Sequence, residues 1–242
     1  SEFYPYSSID IPEEDKLGWP PTLLFYQPEL ETIIRSNNLK YKNLKILENT
    51  EVVNIESTDP VEIDIRNNRN DSPIYCKYLI GCDGANSFVR KYIKAKLVDF
   101  GFDQDWIVID AHTTKQIDIS KDEAKQICDP NRLKTYVPGR RNHKRFEFKL
   151  LKEETKKDFT KKKVWELLSP WINKNNSKIE RAVVYKFHAC IADKWRDKNI
   201  FIAGDAAHQM PPFLGAGMGT GIRDVFNLAW KIFLVIRGKA DE

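Results

Sequence analysis

Apolar residues recur along the chain with two different periods. Segments such as Val61–Arg66 and Trp106–Thr113 have apolar residues at alternate positions or in unbroken runs, which is typical of strands. Near the end of the chain, apolar residues recur at intervals of three and four, which predicts an amphipathic helix from Gly219 to Arg237. The pattern therefore changes from strand-like to helix-like toward the C-terminus.

Turn and capping residues divide this pattern into elements. Pro28 suits the first turn of a helix, and Pro138-Gly139 marks a hairpin turn. The predicted extended segments are Thr22–Tyr26, Ile46–Ile55, Val61–Arg66, Tyr75–Ile80, Trp106–Thr113, Thr135–Val137, Arg145–Leu151, Ala182–Cys190 and Asn199–Ala203. The predicted helices are Pro28–Asn37, Ser87–Ala95, Val164–Ile172 and Gly219–Arg237. Strand–helix units flank a strand-rich middle, so we expect an α/β fold with an inserted antiparallel β domain.

Composition narrows the class of protein. Of the 242 residues, 41% are hydrophobic, which is ample for a core. The apolar run Ile232–Ile236 is far too short to span a membrane, and the chain does not open with a signal-peptide pattern. We therefore expect a cytoplasmic protein without a membrane partner.

Charge and cysteine spacing point to no metal and no nucleic acid. The net charge of +4 comes from 39 basic and 35 acidic residues that are interspersed. The densest basic cluster is Lys156, Lys157, Lys161, Lys162 and Lys163, which we interpret as a solvated helix face rather than a nucleic-acid patch. The four cysteines form no CxxC pair and have no zinc-ligand spacing, so we expect reduced thiols.

A glycine-rich stretch is the strongest candidate for chemistry. Glycine occupies every second position from Gly215 to Gly221, directly after Pro211 and Pro212. The stretch fits neither GxxxxGK[ST] nor GxGxxG, and it follows a late strand. It can therefore admit a flat ligand against bare backbone at a helix start, with Asp205 binding a polyol, or it can pack a helix tightly on a strand. Both interpretations remain open on the residues alone.

Three motifs resemble one family. The stretch GDAAHQMPPFLGAGMGTGIRDVFNLAWKI from Gly204, YLIGCDGANSFVR from Tyr78 and QPELE from Gln27 resemble the FAD-dependent aromatic hydroxylases of the 4-hydroxybenzoate hydroxylase group. Within that group the likeness is to the 3-(3-hydroxyphenyl)propionate and 3-hydroxycinnamate hydroxylases. It is carried by GFDQDWIVID, CDPNRLKTYVPGRRNHKRFEF and ERAVVYKFHACIADKWRDKNIFIAGDAAHQMPP.

The resemblance implies an activity and two cofactors. In this family NAD(P)H reduces FAD, and O2 then supplies one oxygen atom to a phenol, next to its hydroxyl, giving a catechol and water. It also implies an incomplete, doubly wound FAD-binding domain with an inserted antiparallel β-sheet substrate domain. The implied domains are 1–26 as an edge segment of the substrate domain, 27–98 and 191–242 as FAD-binding parts, and 99–190 as the substrate-binding β domain.

The resemblance also assigns residues. Asp205 would bind the ribityl hydroxyls of FAD, and the amides of residues 215–219 would face the N1 and O2 edge of the flavin. The implied cofactor-binding residues are Gln27, Val53 (through its backbone), Asp83, Gly84, Arg90, Gly204, Asp205, Pro211, Gly215, Ala216, Gly217, Met218 and Gly219. The implied catalytic residues are Pro212, as a wall beside the flavin, and His208.

Several of these residues have simpler interpretations. Arg90 could pair with an acid on its helix surface, Asp205 could cap a turn, and His208 could be a structural hydrogen-bonding residue beside the flavin. On the substrate side, a basic hairpin could neutralise a carboxylate or form a solvated turn. Its residues are Arg140, Arg141, His143, Lys144 and Arg145.

The chain also departs from the family pattern. Gly219 stands where relatives usually have a polar residue, and the opening βαβ unit with its GxGxxG is not present in the sequence. We therefore expect an internal fragment or truncated copy with weakened FAD affinity. The alternatives are a non-catalytic remnant and a flavin enzyme of another class, such as a disulfide reductase. Absence of a CxxC argues against the latter, and a homo-oligomer is left open.

Overall fold

The computed structural model describes residues 18, 23–67, 73–114, 117, 123–139 and 141–241, without the side chain of residue 214. The described residues divide into two compact units. The first unit draws on Ser1–Leu44 and Ile107–Val184, and the second on Lys45–Trp106 and Tyr185–Glu242. The domain boundaries predicted from the sequence stay a prediction, and most of the predicted edge segment lies outside the described residues.

Secondary structure alternates between strand-rich and helical parts of the chain. The helices are α1 (Gln27–Asn38), α2 (Phe88–Tyr92), α3 (Lys161–Leu168) and α4 (Ala216–Ile236). The strands are β1 (Glu51–Glu56), β2 (Val61–Arg66), β3 (Pro73–Cys76), β4 (Leu79–Gly81), β5 (Leu97–Thr113), β6 (Lys125–Ile127), β7 (Lys134–Pro138), β8 (His143–Lys149), β9 (Ser177–Ala192), β10 (Arg196–Asp197), β11 (Ile200–Ile202) and β12 (His208–Gln209). Short 3₁₀ turns span Lys156–Asp158, Gly204–Ala206 and Pro212–Leu214.

The first unit is an antiparallel sheet covered by a helix. Strands β6, β7 and β8 pair antiparallel in chain order, and the β7–β8 hairpin closes where the Gly139 N–H donates to the His143 carbonyl at 3.0 Å. The hairpin predicted at Pro138-Gly139 is thus present. Alternation along β8 turns Phe146 and Phe148 toward the core, where each is 1% exposed.

Helix α3 covers the apolar face of this sheet. The Thr160 side chain accepts a hydrogen bond from the Lys163 N–H and so caps the first turn. Val164 and Leu168, four residues apart, are the buried positions of α3 and join the core that contains Phe146 and Phe148. Trp165 and Leu167 pack partly against the same core, while three lysines and Glu166 occupy the other positions, so the helix is amphipathic.

The second unit contains two small sheets. Strands β1, β2 and β3 pair antiparallel in that order, and the other sheet has the order β10-β11-β4. In the latter, β11 runs parallel to β4, with Ile200 opposite Leu79 and Ile202 opposite Gly81. Strand β12 pairs antiparallel with β9. The core lies between α2 and these strands, and Ile93, Ile200 and Ala206 are at most 1% exposed.

Several predicted boundaries were wrong for identifiable reasons. The predicted strand Tyr75–Ile80 is two strands, β3 and β4, in different sheets, because the chain changes direction at residues 77 and 78. The predicted strand from Ile46 begins only at Glu51, after Asn49 in a left-handed conformation with φ 52°. Strand β5 starts nine residues before the predicted Trp106. The prediction left out Leu97–Asp105, which is mostly exposed and contains Gly101 and three aspartates, residue types that are uncommon in strands.

Candidate functional site

Parallel pairing brings two predicted motifs together in the second unit. The Ala203 N–H donates to the Gly81 carbonyl at 3.0 Å, which extends the β4–β11 pairing to the ends of both strands. Asp83-Gly84 and Gly204-Asp205 therefore leave the same edge of the sheet. Ligands of open α/β sheets bind at this carboxyl edge.

The Asp83 segment forms a capped turn. Gly84 has φ +79°, a left-handed conformation that favours glycine. Both carboxylate oxygens of Asp83 accept hydrogen bonds, one from the Ser87 hydroxyl and the other from the N–H groups of Phe88 at 2.7 Å and Val89 at 3.1 Å. Asp83, predicted to bind a cofactor, thus holds the start of α2.

Arg90 ties this turn to the turn that contains Asp205. Its side chain is buried, with the residue 6% exposed, and its Nη1 donates to the Ala206 carbonyl at 2.9 Å. Its Nη2 donates to the Ala85 carbonyl at 2.6 Å, and Gln209 donates to the same oxygen at 3.2 Å. The guanidinium therefore bonds to two backbone carbonyls rather than to an acid on its helix, which was the simpler interpretation.

The turn Gly204–Ala206 presents Asp205 outward. Gly204 has φ +62°, and Ala206 is fully buried while Asp205 is exposed. Within the part of the chain that the structure describes, the Asp205 carboxylate has no hydrogen-bond or ion-pair partner. An exposed carboxylate with all its acceptor capacity available can bind the hydroxyls of a polyol.

Asp224 on α4 was missed by the sequence analysis. Its Oδ2 accepts the Gly204 N–H at 3.0 Å and contacts His208 Nε2 at 2.7 Å. His208 is 7% exposed and lies beside the Trp195 ring, with centroids 5.4 Å apart. The available signal was an acid three residues after Gly221, which places both residues on the same side of the helix.

The four glycines of the stretch have two kinds of surroundings. A Cβ on Gly221 would lie 3.2 Å from the Gly204 Cα, so Gly221 lets α4 approach the turn closely. Gly215, Gly217 and Gly219 have no atom closer than 4.0 Å to the corresponding position. The packing interpretation thus holds for Gly221, while the space beside the other three is open.

Helix α4 begins three residues earlier than predicted. Gly215 is its N-cap, with φ +62°, and no side chain caps the helix. Ala216, Gly217 and Met218 form its first turn, where backbone N–H groups have no intrahelical partner. The open space beside the glycines is therefore next to amides that favour negative charge.

The two prolines precede this helix start. Both are half-buried, and the Pro212 carbonyl accepts the Gly215 N–H at 2.8 Å. Phe213 follows, with its ring centroid 5.2 Å from that of Trp106. The rings that surround Phe213 are Phe102, Trp106 and Phe187. This aromatic group, also missed from the sequence, forms an apolar wall next to Pro212.

The remaining predicted cofactor residues lie elsewhere. Gln27 starts α1 in the first unit, and its side-chain amide donates to Glu31 at 2.8 Å. Val53, in the second unit, is the extra residue of a bulge in β1, between the pairs of Val52 and Asn54. A bulge leaves the backbone of its extra residue outside the ladder, which suits the predicted backbone contact.

Two residues of the basic hairpin, His143 and Arg145, contact an internal acid. Asp110 is 4% exposed and accepts hydrogen bonds from Arg145 Nε at 2.8 Å and Arg181 Nη2 at 2.6 Å, and His143 Nε2 lies 3.3 Å away. Burial raises the pKa of Asp110, but the hydrogen bonds from these three side chains outweigh it and hold the pKa well below its usual range. Arg140 lies outside the described residues.

Two features that the described residues lack bear on the type of site. Within the described ranges, no three His, Cys, Asp or Glu side chains converge as a metal site would require. No helix in that part of the chain has both the length and the apolarity that a membrane crossing needs.

Residues 7–242 match the sequence profile of the family described as "FAD binding domain". A probable NADH-specific resorcinol 4-hydroxylase from Rhodococcus jostii is 33% identical over 238 residues, which are 96% of this chain and 44% of that protein. A 3-(3-hydroxyphenyl)propionate/3-hydroxycinnamic acid hydroxylase from Escherichia coli is 32% identical, over 95% of this chain and 42% of that protein. The chain thus spans less than half the length of these relatives.

Solved structures share the fold. Aklavinone-11 hydroxylase, in a complex with FAD and aklavinone, superposes with a TM-score of 0.79 at 22% identity, over 90% of this chain and 43% of that one. A p-nitrophenol 4-monooxygenase from Pseudomonas putida superposes with a TM-score of 0.78 at 19% identity, over 90% of this chain and 56% of that one. These matches confirm the predicted α/β fold with an antiparallel sheet.

The different surroundings of Gly219 and Gly221 predict that substitution by alanine changes the free energy of unfolding differently at the two positions. Gly219→Ala should raise the free energy of unfolding by about 0.5–1 kcal/mol, because alanine favours the helix and meets open space there. Gly221→Ala should show no such gain, because its methyl group would be 3.2 Å from the Gly204 Cα. Urea unfolding of both variants measures this, and equal gains would contradict the close contact.

The Asp110 cluster predicts a pH-dependent stability. Because the folded state lowers the pKa of this carboxyl, its contribution is complete above the unfolded pKa of about 4 and is lost as the pH falls below it. Asp110→Asn should cost about 1–3 kcal/mol at pH 7, discounted for the partly exposed arginines. The difference from wild type should shrink at pH 3, as urea midpoints would show.

The matched control is Asp129→Asn in the same unit. Asp129 pairs with Lys134 at 2.7 Å nearer the surface, so its loss should cost clearly less than the loss of Asp110. Equal midpoints for wild type and Asp110→Asn at pH 7 would show that the cluster does not stabilise the fold.

Proposed function

The chain belongs to the FAD-binding domain family, and on that premise we propose that it binds FAD and acts in NAD(P)H-dependent hydroxylation of a phenol. This agrees with the resemblance that the three sequence motifs predicted. One observation supports the proposal most strongly. Asp205, whose carboxylate has no partner among the described residues, lies at the same strand edge as the Asp83 turn. The turn that presents it packs on α4, whose uncapped start adjoins open space.

The residues present fit FAD. A flat ring needs backbone without side chains, and the positions beside Gly215, Gly217 and Gly219 are open to at least 4.0 Å. Free amides in the first turn of α4 would favour the negative charge of the reduced ring at its N1 and O2 edge. The exposed Asp205 carboxylate would accept hydrogen bonds from the ribityl hydroxyls.

Other residues would hold this site in shape. Asp83 and Arg90 would act on the cofactor through the turns that they fix, because their side chains are occupied by protein groups. His208, predicted as catalytic, is buried against Asp224 and would position the turn rather than move a proton. Pro212, with Phe213 and its aromatic neighbours, would keep water from the reacting ring.

The atoms and electrons of the proposed hydroxylation balance. When bound, FAD accepts a hydride from NAD(P)H and supplies the activation of O2; one oxygen atom goes to the phenol, and the other leaves as water. The products are a catechol, NAD(P)+ and water, and one proton is consumed. We propose ortho hydroxylation of a phenolic acid resembling 3-(3-hydroxyphenyl)propionate, since two relatives are named for resorcinol and for this acid.

Three measurements on the 242-residue chain test the proposal. Binding of FAD should quench flavin fluorescence and give a bound visible spectrum. NADH or NADPH oxidation should accelerate on adding 3-(3-hydroxyphenyl)propionate or resorcinol, with the hydroxylated product detected. Flavin binding without any phenol-dependent reaction would favour a non-catalytic remnant, and turnover with a disulfide would favour another flavin class. No flavin binding would contradict the proposal.

The polyol contact predicts a large effect of Asp205→Ala. Loss of a charged hydrogen-bond acceptor should raise the Kd for FAD about tenfold or more. Fluorescence titration measures this, with Asp197→Ala as control because Asp197 lies in the same unit and has only a surface pair with Lys194 at 4.0 Å. Equal Kd values for Asp205→Ala and wild type would remove Asp205 from the site.

The open space predicts a steric effect of Gly217→Val. Valine costs little in a helix relative to glycine, so the fold should persist, but its branched side chain would fill the space beside the backbone. Flavin binding should fall at least tenfold while circular dichroism stays unchanged. Full flavin binding by this variant would show that the ring does not lie against Gly217.

A further inference from the structure

We propose that Asp224 is a positioning residue that sets the place of Asp205 relative to the start of α4. The inference rests on the proposed function, because these two features are the ones that would contact the ribityl chain and the ring of the flavin. Asp224 itself would contact neither the ribityl chain nor the ring. Its effect would be transmitted through the turn Gly204–Ala206.

The turn is held from two sides. Arg90 holds its far end through the Ala206 carbonyl, at 2.9 Å, from helix α2. Asp224 holds its near end through the Gly204 N–H, at 3.0 Å, from helix α4. Because β11 ends at Ile202 and Ala203 makes the last bond to β4, the Gly204 N–H lies outside the strand pairing and needs another acceptor. The Asp224 bond therefore fixes the point at which the chain turns Asp205 outward.

Asp224 links the turn to the helix whose first residues face the open space. Gly221, one turn before Asp224, lies against Gly204 with only 3.2 Å between its Cβ position and the Gly204 Cα. A close backbone contact prevents the two elements from approaching further, and the Asp224 bond prevents them from separating. Together they set the spacing between the Asp205 carboxylate and the free amides at residues 216–218.

His208 keeps the Asp224 carboxylate in this orientation. The same Oδ2 atom contacts His208 Nε2 at 2.7 Å, and the side chain of Asp224 is 14% exposed. His208 Nδ1 is buried without a partner among the described residues, so the ring's hydrogen bond is the one made by Nε2 to Asp224. One carboxylate oxygen thus receives two donors from the segment that carries Asp205.

A double-mutant cycle on the 242-residue chain tests this role. Riboflavin is the probe, because it contains the ring and the ribityl chain without the ADP portion. Asp224→Ala should raise the Kd for riboflavin about tenfold in the presence of Asp205, and less than about twofold in an Asp205→Ala background. Asp224→Asn, which retains an oxygen acceptor at the same position, should restore most of the affinity. Asp197→Asn is the matched control.

Hydrogen exchange gives a second readout that needs no flavin. The Gly204 amide should exchange about tenfold faster in Asp224→Ala than in wild type, and close to the wild-type rate in Asp224→Asn. Equal losses of riboflavin affinity in both backgrounds, or unchanged exchange at Gly204, would overturn the inference. A wild-type chain that binds no riboflavin would contradict the proposed function, and the exchange result alone would then decide the role of Asp224.

Discussion

The parallel pairing of β4 with β11 is the constraint on which the candidate site depends. It aligns two strands from distant parts of the sequence so that both end at the same edge, with the pairing continued by the bond from Ala203 to Gly81. A shift of one residue would turn every side chain of β11 to the opposite face and would move Asp205 away from the Asp83 turn. The buried Ile200 and Ile202 oppose such a shift, because both would leave the core.

Charged and polar side chains then convert this alignment into a defined geometry. Three side chains, those of Asp83, Arg90 and Asp224, bind backbone groups at or next to the two turns. Their hydrogen bonds therefore stabilise the conformation of these loops. Asp205 differs from them because its carboxylate is exposed and has no partner in the described part of the chain. The division is physically sensible, since a ligand-binding carboxylate must be held still by groups that do not themselves bind the ligand.

In the first unit, charged side chains around Asp110 bind one another. Asp110 gathers Arg145, Arg181 and His143 on one face of the antiparallel sheet, and the opposite face holds the apolar core. A basic hairpin that the sequence offered for an anionic substrate is thus partly neutralised within the protein. Any carboxylate of a substrate would have to compete with Asp110 for these side chains, or bind elsewhere.

The sequence by itself determined the local elements with strong periods and the identity of the motifs. The amphipathic pattern of residues 222–233 predicted α4, the turn at Pro138-Gly139 predicted a hairpin, and the three motifs predicted the family. Strand β5 was predicted too short because its first half is mostly exposed and contains Gly101 and three aspartates. Strands β3 and β4 were not separated because only Lys77 interrupts the largely apolar stretch from Tyr75 to Ile80.

Only the tertiary structure decided which side chains of the motifs are exposed at the strand edge and which bind other groups of the protein. Four glycines that look alike in sequence differ because Gly221 alone meets the Gly204 backbone. Arg90 and His208 were candidates for direct roles, yet burial against carbonyls and against Asp224 occupies both side chains. Asp224 and the ring group around Phe213 could not be found from spacing, because their partners lie far away in the chain and come close only when the strands pair.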